Sequence, residues 1–179
     1  MDNDKRKKMN HYNILKKPIK ALNTYGKTSN LKMKYIRTPK EIWSRLKKEF
    51  KFTVDACASD KNHLVDRYWT AEDSALNKNW DNEIVYCHPM YDTKIPKFVE
   101  KAFKHKCVTV FLLPASTNAV YFHKYFWCSK HCRSRESVII EFLPKPKDLQ
   151  KGYLMGDDDN NMPDRGYLRP LMLVKVDNR

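Results

Sequence analysis

The chain has 179 residues, a length that suits one domain with a full hydrophobic core, and its formal charge of +14 leaves it strongly basic. It contains no run of about 18 apolar residues, and its first residues are too polar for a secretory signal, so neither a membrane span nor export is expected. We therefore expect a cytoplasmic protein.

Most of the positive charge lies at the start of the chain. Residues 1–48 hold fifteen Lys or Arg against three acidic residues, a net charge of +12. A basic segment attracts polyanions by releasing their counterions, so DNA or RNA is the first partner to consider. A solubilising tail, or a segment that binds an acidic protein, is the alternative. The residues expected to contact DNA here are Lys5, Arg6, Lys7, Lys8, Lys16 and Lys17.

We expect two parts, a basic N-terminal arm over residues 1–36 and a folded domain over residues 37–179. The first helix of the domain is predicted in TPKEIWSRLKKEF, with Thr38 as its N-cap, Pro39 at the first helical position and Glu41 three residues after the cap. Its apolar face consists of Ile42, Leu46 and Phe50, spaced by four residues.

The rest of the domain alternates strands with helices. FTVDACA predicts a short strand that stops at Asp55, and IVYCH (84–88) a second strand. KIPKFVEKAFKH predicts an amphipathic helix, followed by strands in VTVFLLPAS (108–116), SVIIEFL (137–143) and RPLMLVKV (169–176). The 108–116 run is almost continuously apolar, which is typical of the middle of a parallel sheet that is covered on both faces. The pattern predicts a layered α/β fold with right-handed crossovers.

The cysteines indicate reduced thiols. Five is an odd number, and most of them sit in apolar segments. The stretch CSKHC (128–132), with His123 nearby, makes a zinc site conceivable. Its spacing matches no usual zinc finger, and an ordinary polar turn carries the same residues, so we expect no metal.

Three segments at predicted strand ends could carry chemistry. They are Asp55, the residues from His88 to Tyr91, and the residues from Pro114 to Thr117. In open α/β sheets, ligands bind outside the carboxyl ends of the strands. Each segment alone is a weak signal, because such an Asp is more often a helix cap and such a Pro-Tyr sequence is more often only a turn.

Taken in order, the segments TPKEIW, FKFTVDACASDKN, YWTAEDSALNKNW, VYCHPMYDTKIPKFVEKAF, VFLLPAST and IIEFLP resemble the phage-type DNA adenine methyltransferases, a Dam-like family. The resemblance runs from Thr38 to Leu143, more loosely through RPLMLVKV, and leaves the basic arm outside. It implies a three-layer, Rossmann-like methyltransferase sheet. It also implies a phage-encoded enzyme that transfers a methyl group from S-adenosylmethionine to the exocyclic amine of adenine in DNA, in the host cytoplasm, with protection from host restriction as its role.

In that family an Asn/Asp-Pro-Pro-Tyr turn binds the target amine through a side-chain oxygen and a main-chain carbonyl, and its tyrosine stacks on the flipped base. The corresponding catalytic residues here are His88, Pro89, Met90 and Tyr91. The Pro89 carbonyl and the Tyr91 ring are retained. A neutral histidine accepts one hydrogen bond but reaches differently from an amide oxygen, and methionine lacks the fixed φ of proline. Losing one well-placed transition-state hydrogen bond costs about 10²- to 10³-fold in rate, so a slow enzyme is expected.

The resemblance also suggests a cofactor site without glycine. No glycine occurs between residues 27 and 151, so a glycine-rich turn is absent there. By resemblance, Asp55 and Ala56 would contact S-adenosylmethionine, with Asp73 as a second contact; a helix N-cap is the alternative role for Asp73. Pro114 and Ser116 would shape the target-base pocket. Where the family continues with Gly-Arg, Lys145 would contact a phosphate.

Two other functions fit the same residues. The altered turn suits a catalytically inactive methyltransferase-fold protein that binds DNA or inhibits a host protein. It also suits methylation of another amine, on cytosine or a hypermodified base. The oligomeric state is left open.

Overall fold

The computed structural model describes residues 37–144 and 169–179. The expected basic arm, its six DNA-contacting residues and Lys145 lie outside these ranges. The helices are α1 (Lys40–Glu49) and α2 (Ile95–Lys104), and the strands are β1 (Val54–Asp55), β2 (Ile84–Cys87), β3 (Val108–Pro114), β4 (Trp127–Cys128), β5 (Arg133–Ser134), β6 (Val138–Phe142) and β7 (Leu171–Asp177). A short 3-10 helix, Ala75–Asn77, and a π-helical segment, Phe122–Phe126, complete the elements.

Five of these strands form a mixed sheet in the order β1-β2-β3-β7-β6. β1, β2 and β3 run parallel, and β7 lies antiparallel between β3 and β6. All five predicted strands and both predicted helices are therefore confirmed. We expected β3 to lie within a parallel sheet, and it pairs in parallel with β2 but antiparallel with β7. An apolar run such as β7 indicates that a strand is buried but not which way the strand runs, because its direction depends on the strand with which it pairs.

Both faces of the sheet are covered around β3, whose seven residues are all buried. Phe111 and Leu113 belong to a cluster that includes Val99 of α2. Val110 and Leu112 belong to a second cluster that includes Leu46 of α1. Because successive side chains of a strand point to opposite faces, the two helices cover opposite faces of the sheet.

The start of α1 differs from the prediction. The helix begins at Lys40 with Pro39 as its cap residue, and Pro39 provides no side-chain cap. The Thr38 hydroxyl, which we expected to cap the helix, instead lies 2.6 Å from the Tyr86 hydroxyl and 3.1 Å from His88 Nδ1. Tyr86 is buried, and a buried hydroxyl needs a hydrogen-bond partner more than an exposed helix end does.

The CSKHC stretch joins β4 to β5, which pair as a small hairpin that the sequence analysis did not predict. Among the described residues, all five cysteines are free, and no group of three or more His, Cys, Asp or Glu is placed to hold a metal ion. Nor does any helix in the described ranges have the length and apolar character needed to cross a bilayer.

Candidate functional site

The carboxyl ends of β1, β2 and β3 meet at one edge of the sheet. Asp55 ends β1, His88 directly follows β2, and Pro114 ends β3. The strands are parallel and in close register, with Asp55 paired to Tyr86 and Cys87 paired to Phe111. The three segments that the sequence analysis singled out are thus brought to the same edge, where α/β sheets bind ligands.

Two cavities lie on either side of the 88–92 turn. The smaller, of about 360 Å³, is lined by residues 56–59 after β1 and by His88, Pro89 and Met90 of the turn. The larger, of about 520 Å³, is lined by Tyr91 together with Pro114 and Ser116. Asp92 lines both. The turn therefore forms a wall between two spaces, each within the usual volume range of small-molecule sites.

The larger cavity contains both residues expected in the target-base pocket, Pro114 and Ser116. Tyr91 is half-buried and packs against the hydrophobic clusters of both sheet faces, which holds its ring in place. Lys124 and Arg169 also line this cavity. It therefore combines an aromatic ring with cationic groups.

Asp55 does not line the smaller cavity; it organises the loop that does. Its Oδ1 accepts a hydrogen bond from the Cys57 N–H at 3.3 Å, and its Oδ2 accepts one from the Leu64 N–H at 3.1 Å. Burial raises the pKa of this carboxyl to about 6, against the opposing effect of the two N–H donors. Ala56, the second expected cofactor residue, does line the cavity.

Asp73 also does not line the smaller cavity. Its carboxylate pairs with Lys78 Nζ at 2.6 Å, while its neighbours Glu72 and Ser74 line the cavity. The alternative role as a helix N-cap is wrong, because the Ser74 hydroxyl accepts the Leu76 N–H and caps the short 3-10 helix. Side-chain direction in such a polar loop is set by the packing of the loop, which the sequence pattern does not encode.

His88 is held through both ring nitrogens. Nδ1 lies 3.1 Å from the Thr38 hydroxyl, and Nε2 lies 3.0 Å from the Tyr91 hydroxyl. Burial lowers the pKa of His88 to about 4, so the ring is neutral at pH 7. Pro89 beside it is buried, and Met90 is 41% exposed.

Three further residues at the smaller cavity were missed by the sequence analysis. Lys94 and Lys97, at the start of α2, line it, and the signal for both was their three-residue spacing directly after the turn. Cys57 also lines it, and its Sγ lies 3.7 Å from Cys87 Sγ. No local pattern indicated that thiol contact, because it joins the turn after β1 to the end of β2, 30 residues later.

Asp55 and His88 are expected to affect stability with opposite pH dependence. The pKa of Asp55 rises on folding from 3.8 to about 6, so its contribution is present below about pH 4 and is lost as the pH rises through 6. The pKa of His88 falls from 6.5 to about 4, so its contribution is lost as the pH falls from 6.5 through 4. In the wild type the two slopes oppose each other between about pH 4 and 6.

Urea unfolding across this pH range tests whether Asp55 and His88 have opposite effects on the pH dependence of stability. Relative to the wild type, Asp55→Asn should make the free energy of unfolding rise with pH, and His88→Asn should make it fall with pH. Other titrating groups are common to all three proteins. Parallel profiles for the three would show that neither group changes its pKa on folding.

Comparison with known proteins shows which protein family the chain matches. The family model for DNA N-6-adenine-methyltransferase (Dam) matches residues 26–154. This match begins within the 1–36 segment, which we had expected to lie outside the resemblance. One similar relative is the DNA N-6-adenine-methyltransferase of Escherichia phage T1, 30% identical over 90 residues, covering 48% of this chain and 37% of the relative. The matched segment thus spans little more than a third of the phage protein.

Proposed function

The chain belongs to the DNA N-6-adenine-methyltransferase (Dam) family, and from that premise we propose that it methylates the exocyclic amine of adenine in DNA with S-adenosylmethionine as donor. The observation that carries the proposal is the turn between two cavities. The smaller cavity would hold the cofactor and the larger one the flipped base. In this assignment the sheet with α1 and α2 on its two faces is a three-layer, Rossmann-like methyltransferase core.

The reaction sets clear requirements for the turn. The adenine amine is a poor nucleophile, because its lone pair is delocalised into the ring, so the base must leave the duplex and be held with the lone pair aimed at the methyl carbon. S-adenosylmethionine, when bound, supplies a methyl group on a positively charged sulfur. The Pro89 carbonyl accepts an amine hydrogen, and the Tyr91 ring stacks on the base.

The cofactor side depends on small residues and loop order. Ala56 and Ala58 leave room in the smaller cavity, and Asp55 holds their loop through the N–H groups of Cys57 and Leu64. Beside Asp73, Glu72 and Ser74 also line the cavity and offer oxygen acceptors. Lys94 and Lys97 present cations to the carboxylate end of an amino-acid cofactor.

DNA binding is proposed to rest on positive charge at three places. The segment 1–48 has a net charge of +12, and Lys145 lies three residues after the end of β6 in the sequence. Lys124 and Arg169 line the larger cavity, where a flipped nucleotide would bring its phosphate. These contacts would position the DNA without reading its bases. A phage protein of this kind would protect its DNA from host restriction.

The proposal is tested by calorimetric titration with S-adenosylmethionine, followed by methyl transfer to unmethylated DNA and mass analysis of the released nucleosides. We expect binding and N6-methyl-2′-deoxyadenosine in the digest. A methylated cytosine would move the activity to another amine. Absence of both binding and transfer would refute the methyltransferase proposal.

A matched pair of variants tests which cavity holds which ligand. Ala58→Leu narrows the smaller cavity, and Ala119→Leu narrows the larger one with the same added volume. The first should abolish cofactor binding; the second should preserve it and still stop methyl transfer. Thermal melting serves as the folding control. Loss of cofactor binding in the Ala119 variant alone would reverse the assignment.

A second candidate function is a DNA-binding or host-inhibiting protein that has lost catalysis. The engagement of both His88 ring nitrogens by protein hydroxyls favours it, because no side-chain acceptor remains at the position where the family has an Asn or Asp oxygen. This protein would bind DNA and produce no methylated base with any substrate.

A further inference from the structure

Four side chains form a continuous hydrogen-bonded chain at the turn. The Tyr86 and Thr38 hydroxyls are 2.6 Å apart, Thr38 Oγ1 and His88 Nδ1 are 3.1 Å apart, and His88 Nε2 and the Tyr91 hydroxyl are 3.0 Å apart. Tyr86, at the buried end of this series of hydrogen bonds, is 1% exposed. Tyr91, at the top, lines the larger cavity.

Counting protons sets the direction of these bonds. Among the described residues, the Tyr86 hydroxyl has one side-chain partner, Thr38, so satisfying its buried proton requires Tyr86 to donate and Thr38 to accept. The Thr38 proton is then available for His88 Nδ1, which must be unprotonated to accept it. In a neutral imidazole the remaining proton sits on Nε2, which donates to the Tyr91 hydroxyl.

The reverse direction makes the same three hydrogen bonds but leaves its spare hydroxyl proton at the buried end of the series. If Nδ1 carried the proton and donated to Thr38, one hydroxyl proton of the Tyr86–Thr38 pair would lack an acceptor among the described residues. Tyr86 is buried, so an unmade hydrogen bond there is unfavourable. In each hydrogen bond of the series, the residue nearer Tyr86 is therefore the donor and the residue nearer Tyr91 is the acceptor.

We propose that Thr38 fixes His88 as the Nε2–H tautomer, which makes His88 a positioning residue for Tyr91 rather than an acceptor for the target amine. The inference rests on the proposed function, since Tyr91 is the ring on which the base would stack. Thr38 precedes α1 in the sequence, but in this proposal its side chain acts at the reaction site. The amine then has the Pro89 carbonyl as its acceptor from the turn.

The tautomer of the wild-type protein decides the proposal directly. Nitrogen-15 NMR of labelled protein reports which ring nitrogen carries the proton, and His88→Gln identifies the signals of His88. We expect the proton on Nε2. A proton on Nδ1 overturns the inference, whether or not the protein transfers methyl groups.

Variants of Thr38 test the positioning role. Thr38→Val keeps the shape and removes the hydroxyl; it should give a mixture of tautomers and lower kcat about tenfold, with cofactor affinity unchanged. Thr38→Ser restores the hydroxyl and should return both the Nε2–H tautomer and kcat. A valine variant with wild-type kcat and an unchanged tautomer would contradict the proposal, and the serine variant retains the test if valine impairs folding.

The two failures are distinguishable. If S-adenosylmethionine does not bind and no DNA is methylated, the proposed function fails, while the NMR result still reports the tautomer. If methylation proceeds and His88 carries its proton on Nδ1, the function stands and the inference fails.

Discussion

Replacing Tyr91 with alanine is expected to lower kcat/KM for DNA methylation by about 10- to 100-fold, since stacking of a base on an aromatic ring contributes about 1–3 kcal/mol. The Tyr91 ring lines the larger cavity and not the smaller one. The affinity for S-adenosylmethionine should therefore stay unchanged. Steady-state kinetics on unmethylated duplex and a calorimetric cofactor titration measure the two effects separately.

Tyr91→Phe is the matched control, because it keeps the ring and removes the hydroxyl that lies 3.0 Å from His88 Nε2. Its loss of activity should be smaller than that of the alanine variant and should measure the contribution of the His88 contact. An equal fall in cofactor affinity for the alanine variant would show that the turn does not separate two ligand sites.

Restoring the family turn with His88→Asn and Met90→Pro together is expected to raise kcat by about 10- to 100-fold. The asparagine oxygen provides the acceptor that His88 does not, and one such transition-state hydrogen bond is worth roughly 10²-fold or more. Proline at position 90 is compatible with the turn, since the Met90 N–H makes no backbone hydrogen bond to another described residue. Single-turnover kinetics at saturating cofactor measure the change.

His88→Asn alone is the control for that pair. Both variants add the oxygen and lose the bonds of His88 to Thr38 and Tyr91, but the single variant lacks the fixed φ of the proline at position 90, so its gain should be smaller than that of the double variant. If the double variant binds the cofactor and gains no activity, the missing acceptor does not limit the rate. If neither variant binds the cofactor, the inactive, DNA-binding function is favoured.

The altered turn therefore differs from the family turn in the group that it offers to the substrate, and not only in the strength of one hydrogen bond. An Asn or Asp offers an oxygen to the substrate, whereas His88 uses both nitrogens within the protein. The structure nonetheless retains the Tyr91 ring at the larger cavity, the Pro89 carbonyl in the turn, and two cavities. The proposed slow enzyme requires these features, so the cofactor titration is the decisive first experiment.

Much of the fold was predictable from local patterns. The spacing of Ile42 and Leu46 predicted α1, and the apolar run over β3 predicted a strand buried on both faces. The three segments at strand ends were identified because each strand stops at a change from apolar to polar residues. Such signals depend on neighbours within a few residues, which is why the sequence by itself determined the elements and the edge of the sheet where the site lies.

The details of the site depended on the tertiary structure. The bonds of Thr38 to Tyr86 and His88 join residues 48 and 50 positions apart, and the predicted cap role gave way to them. The antiparallel direction of β7, the turning of Asp55 toward its own loop and the division of the site into two cavities are likewise products of packing between distant segments. A local pattern cannot encode these contacts, because the partners of a buried polar group are decided only when the whole sheet and its helices are assembled.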